Sequence, residues 1–241
     1  MHKALSRLDD SYRAFDPRSM LDAHERFLQR HAEGGVYEIN GLEFTCPPDI
    51  YQPHEFGSTR FMLRGLFADA PESLGHRVLE MGAGSGAVGI CLAAAGCDVT
   101  LADIDPVAVT CCRDNARANR VSATILESDL FAGLAGQRFD AILFNAPLMD
   151  KAIEHPLEII SCDPGGALLS RFLREAPNFL AAGGRVIVIV ANFGNKAAIL
   201  KALDGYEDTI LFAEYHGRTE GWRWLVSLKP LPDPVRGATV S

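Results

Sequence analysis

The sequence lacks an excess of basic residues. Its 241 residues include 23 Lys and Arg against 31 Asp and Glu, which gives a formal net charge of −8 at pH 7. Non-specific binding to a phosphate backbone depends on clustered Lys and Arg. The composition therefore argues against a general nucleic-acid binder, although a local basic groove is compatible with this charge.

Long apolar runs and paired metal-ligating residues are also missing. There is no run of about 18 or more apolar residues, as a membrane span requires, and the first residues lack the apolar segment of a secretory signal. The six cysteines form no Cys-x-x-Cys pair, and the seven histidines show no metal-binding spacing. We therefore expect a cytoplasmic protein with reduced thiols, no bound metal and no membrane partner.

The 48% hydrophobic content is enough for one sizeable domain, and the order of patterns predicts its class. Residues 1–35 carry helical signals that end at Gly34-Gly35, and Asn40-Gly41 then predicts a hairpin. One face of the predicted helix carries Leu21, His24, Phe27, Leu28 and His31.

From Arg77 onward, short apolar strands alternate with helices, and the chain ends in two strands without a helix between them. This pattern predicts an α/β fold. We expect a Rossmann-like, seven-stranded, mostly parallel sheet with an antiparallel C-terminal strand, preceded by a short N-terminal helical and hairpin extension.

A glycine-rich loop, VLEMGAGSGAVG, joins the first of these strands to the next helix. Gly82, Gly84 and Gly86 allow the backbone to turn tightly and to approach a ligand. Gly84, Gly86 and Gly89 also fit the dinucleotide pattern G-x-G-x-x-G, with Asp103 about 20 residues further on. An NAD-dependent oxidoreductase therefore stays an alternative.

Glu80 favours a different cofactor. It ends the strand two residues before the first glycine, where a carboxylate would repel a pyrophosphate but would suit an ammonium group. S-adenosylmethionine (SAM) has a free α-amino group and no phosphate, so Glu80 favours SAM. The alternative for Glu80 is a charge that stabilises the N-terminus of the following helix.

Acidic residues also end the next two strands. Asp103 can accept hydrogen bonds from both hydroxyls of a ribose, and Asp129 can accept one from an adenine amino group or can be a solvated loop residue. The predicted cofactor-binding residues are Glu80, Gly82, Gly84, Gly86, Asp103, Ile104, Asp129, Leu130, Asn145 and Thr59.

Asn145 follows the fourth strand, at the edge where open α/β sheets bind ligands. The series E-x-G-x-G-x-G, an acidic strand end and Asn-x-Pro resembles class I SAM-dependent methyltransferases. It is more narrowly similar to the HemK-like release-factor glutamine methyltransferases, the "methyltransferase small domain" group, over about residues 46–228. The resemblance implies a catalytic domain over residues 71–229, with residues 1–70 as lid and entry segment. Residues 230–241 are rich in proline and show no periodic pattern, so we expect a loose tail there.

The catalytic Asn-Pro-Pro-Tyr/Phe of that group is Asn145-Ala146-Pro147-Leu148 here. In the family, the Asn side-chain oxygen and the following carbonyl accept hydrogen bonds from a planar NH2 group, on which the aromatic residue stacks. Asn145, Ala146 and Pro147 retain the catalytic part, which acts by positioning. Leu148 remains as a substrate contact without the stacking ring. Asn145 can alternatively be an ordinary turn residue.

The retained Asn145 leads us to expect an amide or amine nitrogen as the methyl acceptor. The missing ring leads us to expect that this nitrogen belongs to a small molecule, and that no nucleic acid is bound. A protein glutamine or another side-chain amide is the first alternative. An oxygen acceptor deprotonated by His54 is the next. A non-catalytic SAM-binding module also stays open, and the sequence gives no oligomeric state.

Overall fold

The computed structural model describes residues 11–12, 15, 17–68, 74–216 and 221–232. Most of residues 1–16, where the predicted helical signals begin, and all but the first residues of the predicted tail lie outside these ranges.

In the N-terminal extension, the residues from Pro17 onward form a helix, a hairpin and a second helix. They are α1 (Pro17–His31), β1 (Gly35–Ile39), β2 (Leu42–Cys46) and α2 (Ser58–Ala68). In the hairpin, Ile39 pairs with Leu42 across Asn40 and Gly41, which have φ angles of 52° and 76°. Two positive φ angles are what a tight hairpin turn requires, and Asn-Gly tolerates them best.

A seven-stranded sheet forms the centre of the molecule. Its strands are β3 (Arg77–Met81), β4 (Asp98–Asp103), β5 (Thr124–Glu127), β6 (Phe139–Phe144), β7 (Leu180–Ala191), β8 (Tyr206–His216) and β9 (Gly221–Pro230). The strand order is β5-β4-β3-β6-β7-β9-β8, and only β9 runs against its neighbours. The predicted fold class is confirmed.

Helices cover both faces of this sheet. They are α3 (Ala87–Ala94), α4 (Pro106–Ala118), α5 (Ala167–Glu175) and α6 (Lys196–Leu203), with 3₁₀ helices over Pro156–Ile160, Pro164–Gly166 and Ala176–Phe179. Alternate residues of β3 show the two-sided core: Leu79 packs in the cluster with Phe172, and Val78 packs in the cluster with Phe61 and Ile90. Within the described ranges, no helix is both long and apolar enough to cross a membrane.

The strand order changes direction at β3, which has β4 on one side and β6 on the other. Parallel strands of such sheets leave a crevice at their carboxyl ends where the order reverses, and ligands bind there. Glu80, Asp103 and Asn145 all lie at or just beyond these ends. The fold therefore brings the predicted site residues to one edge.

Candidate active site

Two adjoining cavities open at the carboxyl edge of the sheet. The large cavity has a volume of about 570 Å³ and lies against the ends of β3, β4 and β6. The small pocket has a volume of about 180 Å³ and lies between helix α1, the segment after β6 and strand β9. Both cavities are lined by Tyr51, Asn145, Pro147 and Ile160.

The glycine loop forms one wall of the large cavity. Gly84 has φ 56°, and a Cβ there would meet only Tyr51, 3.8 Å away, so the side-chain position is open. Gly86 has φ 75°, and a Cβ there would lie 3.1 Å from Cys112 Sγ and 3.0 Å from Ile90. Glycine is therefore needed at Gly84 for its backbone conformation and at Gly86 also for packing against the helices.

Glu80 is buried at the side of the large cavity, with 4% of its surface exposed. Its Oε2 accepts a hydrogen bond of 2.7 Å from the backbone N–H of Gly89, in the first turns of α3. Burial raises the pKa of Glu80 to about 8; the Gly89 N–H opposes this rise and Asp103 adds to it. The carboxyl group therefore accepts a hydrogen bond from the start of helix α3, as its alternative role at the helix N-terminus requires. It also lines the cavity.

Asp103 lies at the end of β4, the strand next to the one that carries Glu80, and also lines the large cavity. Its Oδ2 accepts a 2.8 Å hydrogen bond from the N–H of Gly84, and its Oδ1 accepts one of 2.9 Å from the N–H of Asp105. Burial raises the pKa of Asp103, while these two backbone donors lower it. Each oxygen keeps further acceptor capacity for a ligand hydroxyl.

Asp129 is engaged by a residue that the sequence reasoning missed. Arg171 Nη1 lies 2.9 and 3.0 Å from the two carboxylate oxygens of Asp129, and both side chains line the large cavity. Next to it, Leu130 has φ 47°, a left-handed conformation that costs a side-chain-bearing residue about 1–2 kcal/mol. Ser128 Oγ stabilises this turn by donating to the Leu130 carbonyl at 2.6 Å.

Most of the predicted cofactor-binding residues line the large cavity. They are Glu80, Gly82, Gly84, Asp103, Ile104, Asp129, Leu130, Asn145 and Thr59. Gly86 is the exception, because it lies behind the loop against Cys112. Ile104 is the most exposed of these side chains, at 61%.

The segment Asn145 to Leu148 separates the two cavities. All four of its residues line the small pocket, and Asn145 and Pro147 also line the large cavity. Asn145 Oδ1 is buried and has no hydrogen-bond partner among the described residues. The N–H groups of Leu148 and Met149 both donate to the Ser161 carbonyl, which anchors the segment after Asn145.

His54 lines neither cavity. Its ring lies edge-on to those of His31 and Tyr37, with centroid distances of 4.9 and 5.2 Å. Burial lowers the pKa of His54, and its Nε2 is buried without a partner within the described ranges. The structure therefore places this candidate base in an aromatic cluster outside the small pocket.

The small pocket contains polar residues that the sequence reasoning did not assign to a site: His24, Ser161 and Arg223. The face of α1 predicted from its periodicity contains His24 and Phe27, and that pattern was the available signal. Ser161 and Arg223 carry no comparable signal, because they come from a loop and a strand that only the tertiary fold brings to Asn145.

A mostly parallel sheet of this order, with acidic residues at the ends of two adjacent strands and Asn-x-Pro after a third, defines a class I SAM-dependent methyltransferase. The family model described as "Methyltransferase small domain" matches residues 56–211. The chain belongs to this family. The predicted enzyme class, the HemK-like resemblance and SAM as cofactor are thereby confirmed.

The names of similar proteins give two kinds of methyl acceptor, glutamine of a protein and ribosomal RNA. The chain is 33% identical over 174 residues to a protein of Methanocaldococcus jannaschii named for protein N5-glutamine methyltransferase activity, covering 69% of this chain and 85% of the relative. It is 30% identical over 196 residues to the release factor glutamine methyltransferase of Escherichia coli, covering 75% and 69%. It is also 33% identical over 157 residues to the ribosomal RNA small subunit methyltransferase C of Chromohalobacter salexigens, covering 65% and 44%.

The fold is shared with a solved structure of T. thermophilus 16S rRNA N2 G1207 methyltransferase (RsmC) in complex with AdoMet and guanosine. The TM-score is 0.62 at 21% identity, and the alignment covers 82% of this chain and 50% of that one. The prediction that excluded nucleic acid from the partners is wrong, because relatives and neighbours include enzymes named for ribosomal RNA as well as for protein. A small-molecule acceptor is not shown by these similarities. The loss of the stacking ring at Leu148 was too weak a basis for that exclusion.

Proposed function

We propose that this methyltransferase transfers the methyl group of SAM to a side-chain amide nitrogen of a protein, with glutamine as the favoured residue. The large cavity holds the cofactor, and the small pocket admits the amide. The observation that carries the proposal is Asn145 Oδ1, a buried acceptor without a partner among the described residues, on the wall that both cavities share.

The residues of the large cavity fit SAM. A volume of about 570 Å³ is within the range of roughly 300–1,000 Å³ for small-molecule sites. The buried carboxyl of Glu80 has no cationic partner among the described residues, and an ammonium group would supply one. Asp103 has acceptor capacity left for ribose hydroxyls. We assign adenine contact to the turn of Asp129 and Leu130, with Arg171 fixing the Asp129 carboxylate.

When bound, SAM supplies a methyl group on a positively charged sulfonium that leaves as a neutral thioether. The protein needs no strong nucleophile of its own, so its contribution is to orient the acceptor nitrogen. Asn145 Oδ1 and the Ala146 carbonyl accept hydrogen bonds from the two N–H groups of the amide. Pro147 has no N–H to compete for these acceptors, and Leu148 contacts the apolar part of the substrate.

The size of the small pocket supports a macromolecular acceptor. Its volume of about 180 Å³ is below the usual range for a whole ligand, so the pocket suits the end of a side chain. Phe56, which lines the pocket, is 59% exposed, and Ile159 at the edge of the large cavity is 62% exposed. These apolar residues can contact the body of a partner. We place the enzyme in the cytoplasm, in keeping with its six free cysteines.

The test is methyl transfer from methyl-tritiated SAM into protein and RNA extracted from a strain that lacks the gene. We expect label in the protein fraction, and mass spectrometry of digests should locate a methyl group on glutamine. Label confined to RNA, or to another kind of side chain, would overturn the amide assignment.

Variants at two asparagines should separate binding from transfer. Asn145→Ala should bind S-adenosylhomocysteine normally but lose about 100-fold or more in transfer rate, a cost typical of losing one positioned hydrogen bond in an active site. Asn195→Ala is the control, because Asn195 lines neither cavity: its Oδ1 caps α6 by accepting the N–H of Ala198 at 2.8 Å, and its Nδ2 donates to Asp150 Oδ2 at 2.9 Å. Wild-type transfer by Asn145→Ala would contradict the catalytic role.

A further inference from the structure

A histidine of helix α1 lies in the small pocket together with Asn145. His24 is 6% exposed, and its Nε2 lies 2.8 Å from Ser161 Oγ, which also lines the pocket. The His24 ring stacks on Phe27, with a centroid distance of 6.0 Å and an interplanar angle of 15°. These contacts fix the ring in the wall of the pocket.

On the other side of the ring, His24 faces a carboxylate. Nδ1 of His24 lies 4.0 Å from Glu158 Oε1, and the Glu158 side chain is 6% exposed. Glu158 Oε1 also lies 2.7 Å from Lys151 Nζ, and Oε2 accepts the N–H groups of Glu154 and His155. The Lys151 bond and these two backbone donors lower the pKa of Glu158 to about 2, so the group is ionised at neutral pH.

This charge sets the tautomer of His24. A negative carboxylate near Nδ1 favours the proton on that nitrogen, which leaves the lone pair of Nε2 directed toward Ser161. The Ser161 hydroxyl can then donate to Nε2, or to the Glu158 carbonyl at 3.2 Å. Cys162 Sγ, 3.7 Å from Nε2, is the other titratable group at this nitrogen.

We propose that His24 takes up the proton that the acceptor nitrogen loses during methyl transfer, directly or through the Ser161 hydroxyl, a role that rests on the proposed nitrogen acceptor. The nitrogen lone pair forms the new N–C bond, the C–S bond breaks with its electrons passing to sulfur, and one N–H proton goes to Nε2. The imidazolium is stabilised by Glu158 and returns the proton to water when the product leaves.

The burial of His24 and the charges near it favour a base that is unprotonated at neutral pH. Burial lowers the pKa of His24, Glu158 raises it and Lys151 lowers it. His24 is therefore unprotonated when the substrate arrives, and the carboxylate compensates the charge that it acquires. This assigns the base to His24 in the pocket, in contrast to His54, which lies outside it.

Two measurements test the role, and one of them needs no substrate. In protein labelled with ¹⁵N-histidine, NMR should show His24 as the Nδ1–H tautomer with a pKa below 6.5, and Glu158→Gln should lower that pKa further. An Nε2–H tautomer, or a His24 protonated at pH 7.5, overturns the proposal whatever the acceptor is.

The second measurement is the pH profile of label transfer into the extract described above. Wild-type kcat/KM should rise with pH to a plateau, with a midpoint at the His24 pKa measured by NMR. His24→Gln should lose this rise and about 100-fold or more in kcat, while affinity for S-adenosylhomocysteine and Tm stay close to wild type. His76→Gln, at an exposed histidine outside both cavities, is the matched control.

The outcomes are distinguishable. An unchanged pH profile in His24→Gln rejects the base and leaves the amide acceptor standing. If the label enters RNA and His24→Gln loses the rise of kcat/KM with pH, the role of His24 as base stands and the protein acceptor is rejected. If neither fraction takes up label, the proposed function fails, and the NMR result alone decides on His24.

Discussion

Glu80 is buried with no cationic side chain beside it in the described part of the chain, and this arrangement links the stability of the protein to cofactor binding. Its pKa is raised from 4.5 to about 8, so the folded protein binds more protons than the unfolded chain between these pH values. Stability therefore falls as the pH rises from 4.5 to about 8, because folding must keep the group protonated or bury its charge. An ammonium group in the cavity would stabilise the charged form.

We expect Glu80→Gln to stabilise the free protein and to weaken cofactor binding. The neutral amide removes the cost of burying a charge, so at pH 8 the variant should be more stable than wild type by up to a few kcal/mol. At pH 4.5 the two should be alike. Thermal unfolding at both pH values, together with calorimetric titration of S-adenosylhomocysteine, measures both effects.

The control is Glu127→Gln, at an exposed glutamate at the end of β5. It should change neither the pH profile of stability nor the affinity. If Glu80→Gln bound the cofactor as tightly as wild type, Glu80 would serve only to accept the Gly89 N–H, and its assignment to the ammonium group would fail.

At the scale of elements, two asparagines of α4 join the hairpin to the sheet. Asn115 accepts the N–H of Thr45 at 2.9 Å and donates to the Thr45 carbonyl at 3.1 Å. One turn later, Asn119 makes the same pair of bonds with the backbone of Glu43, at 3.0 and 2.7 Å. The two side-chain amides thus make the hydrogen bonds with the backbone of β2 that a neighbouring strand would otherwise make.

Asn115 has an additional partner, because its Nδ2 donates to the Ser85 carbonyl in the glycine loop at 2.9 Å. Asn115→Ala should therefore destabilise the protein by roughly 3 kcal/mol, since the backbone of Thr45 and the Ser85 carbonyl lose hydrogen bonds to a side chain that is itself buried. Asn119→Ala, at a less buried site without a bond to the loop, should cost only about 1 kcal/mol. Denaturant unfolding measures the difference.

The same pair tests whether the hairpin supports the cofactor site. Affinity for S-adenosylhomocysteine should fall in Asn115→Ala and stay unchanged in Asn119→Ala. Equal affinities in the two variants would show that the glycine loop keeps its conformation without the hairpin.

The elements of the fold were predictable because each has a local signal. Apolar runs predicted the strands, and Asn40-Gly41 predicted the turn between β1 and β2, where both residues have positive φ. Glu80 and Asp103 were predictable as cavity residues, since they end adjacent parallel strands. The bonds of Asn115 and Asn119 to a hairpin about 70 residues away were not, because asparagine on a helix gives no local indication of its partner.

At the scale of the whole molecule, the small pocket combines residues from α1, the segment after β6 and β9, from Ala23 to Arg223. No sequence window contains this set, which explains why His24 and Ser161 were missed and His54 was chosen. His54 is adjacent to the entry segment in sequence, but its ring packs against His31 and Tyr37. Proximity along the chain was a poor guide to proximity in the pocket.

Cofactor binding should stabilise the whole molecule measurably. S-adenosylhomocysteine at 100 times its Kd adds about 2.7 kcal/mol, which for a chain of this size corresponds to a rise in Tm of about 5–11 °C. NAD⁺ at the same concentration should leave Tm unchanged. A fluorescence-monitored melt measures both, with Glu80→Lys as a variant that should lose the shift; a shift with NAD⁺ alone would favour the dinucleotide alternative.

The order in which the residues of the two cavities occur along the chain has a consequence for biosynthesis. The residues that line the large cavity lie between Ile50 and Arg171, whereas the small pocket also requires Gly221 and Arg223 of β9. Strand β9 lies between β7 and β8, so the last two strands must enter the sheet together. On the ribosome, a nascent chain can therefore form the wall of the cofactor cavity before the substrate pocket is complete. Methylation must wait until β9 has been synthesised.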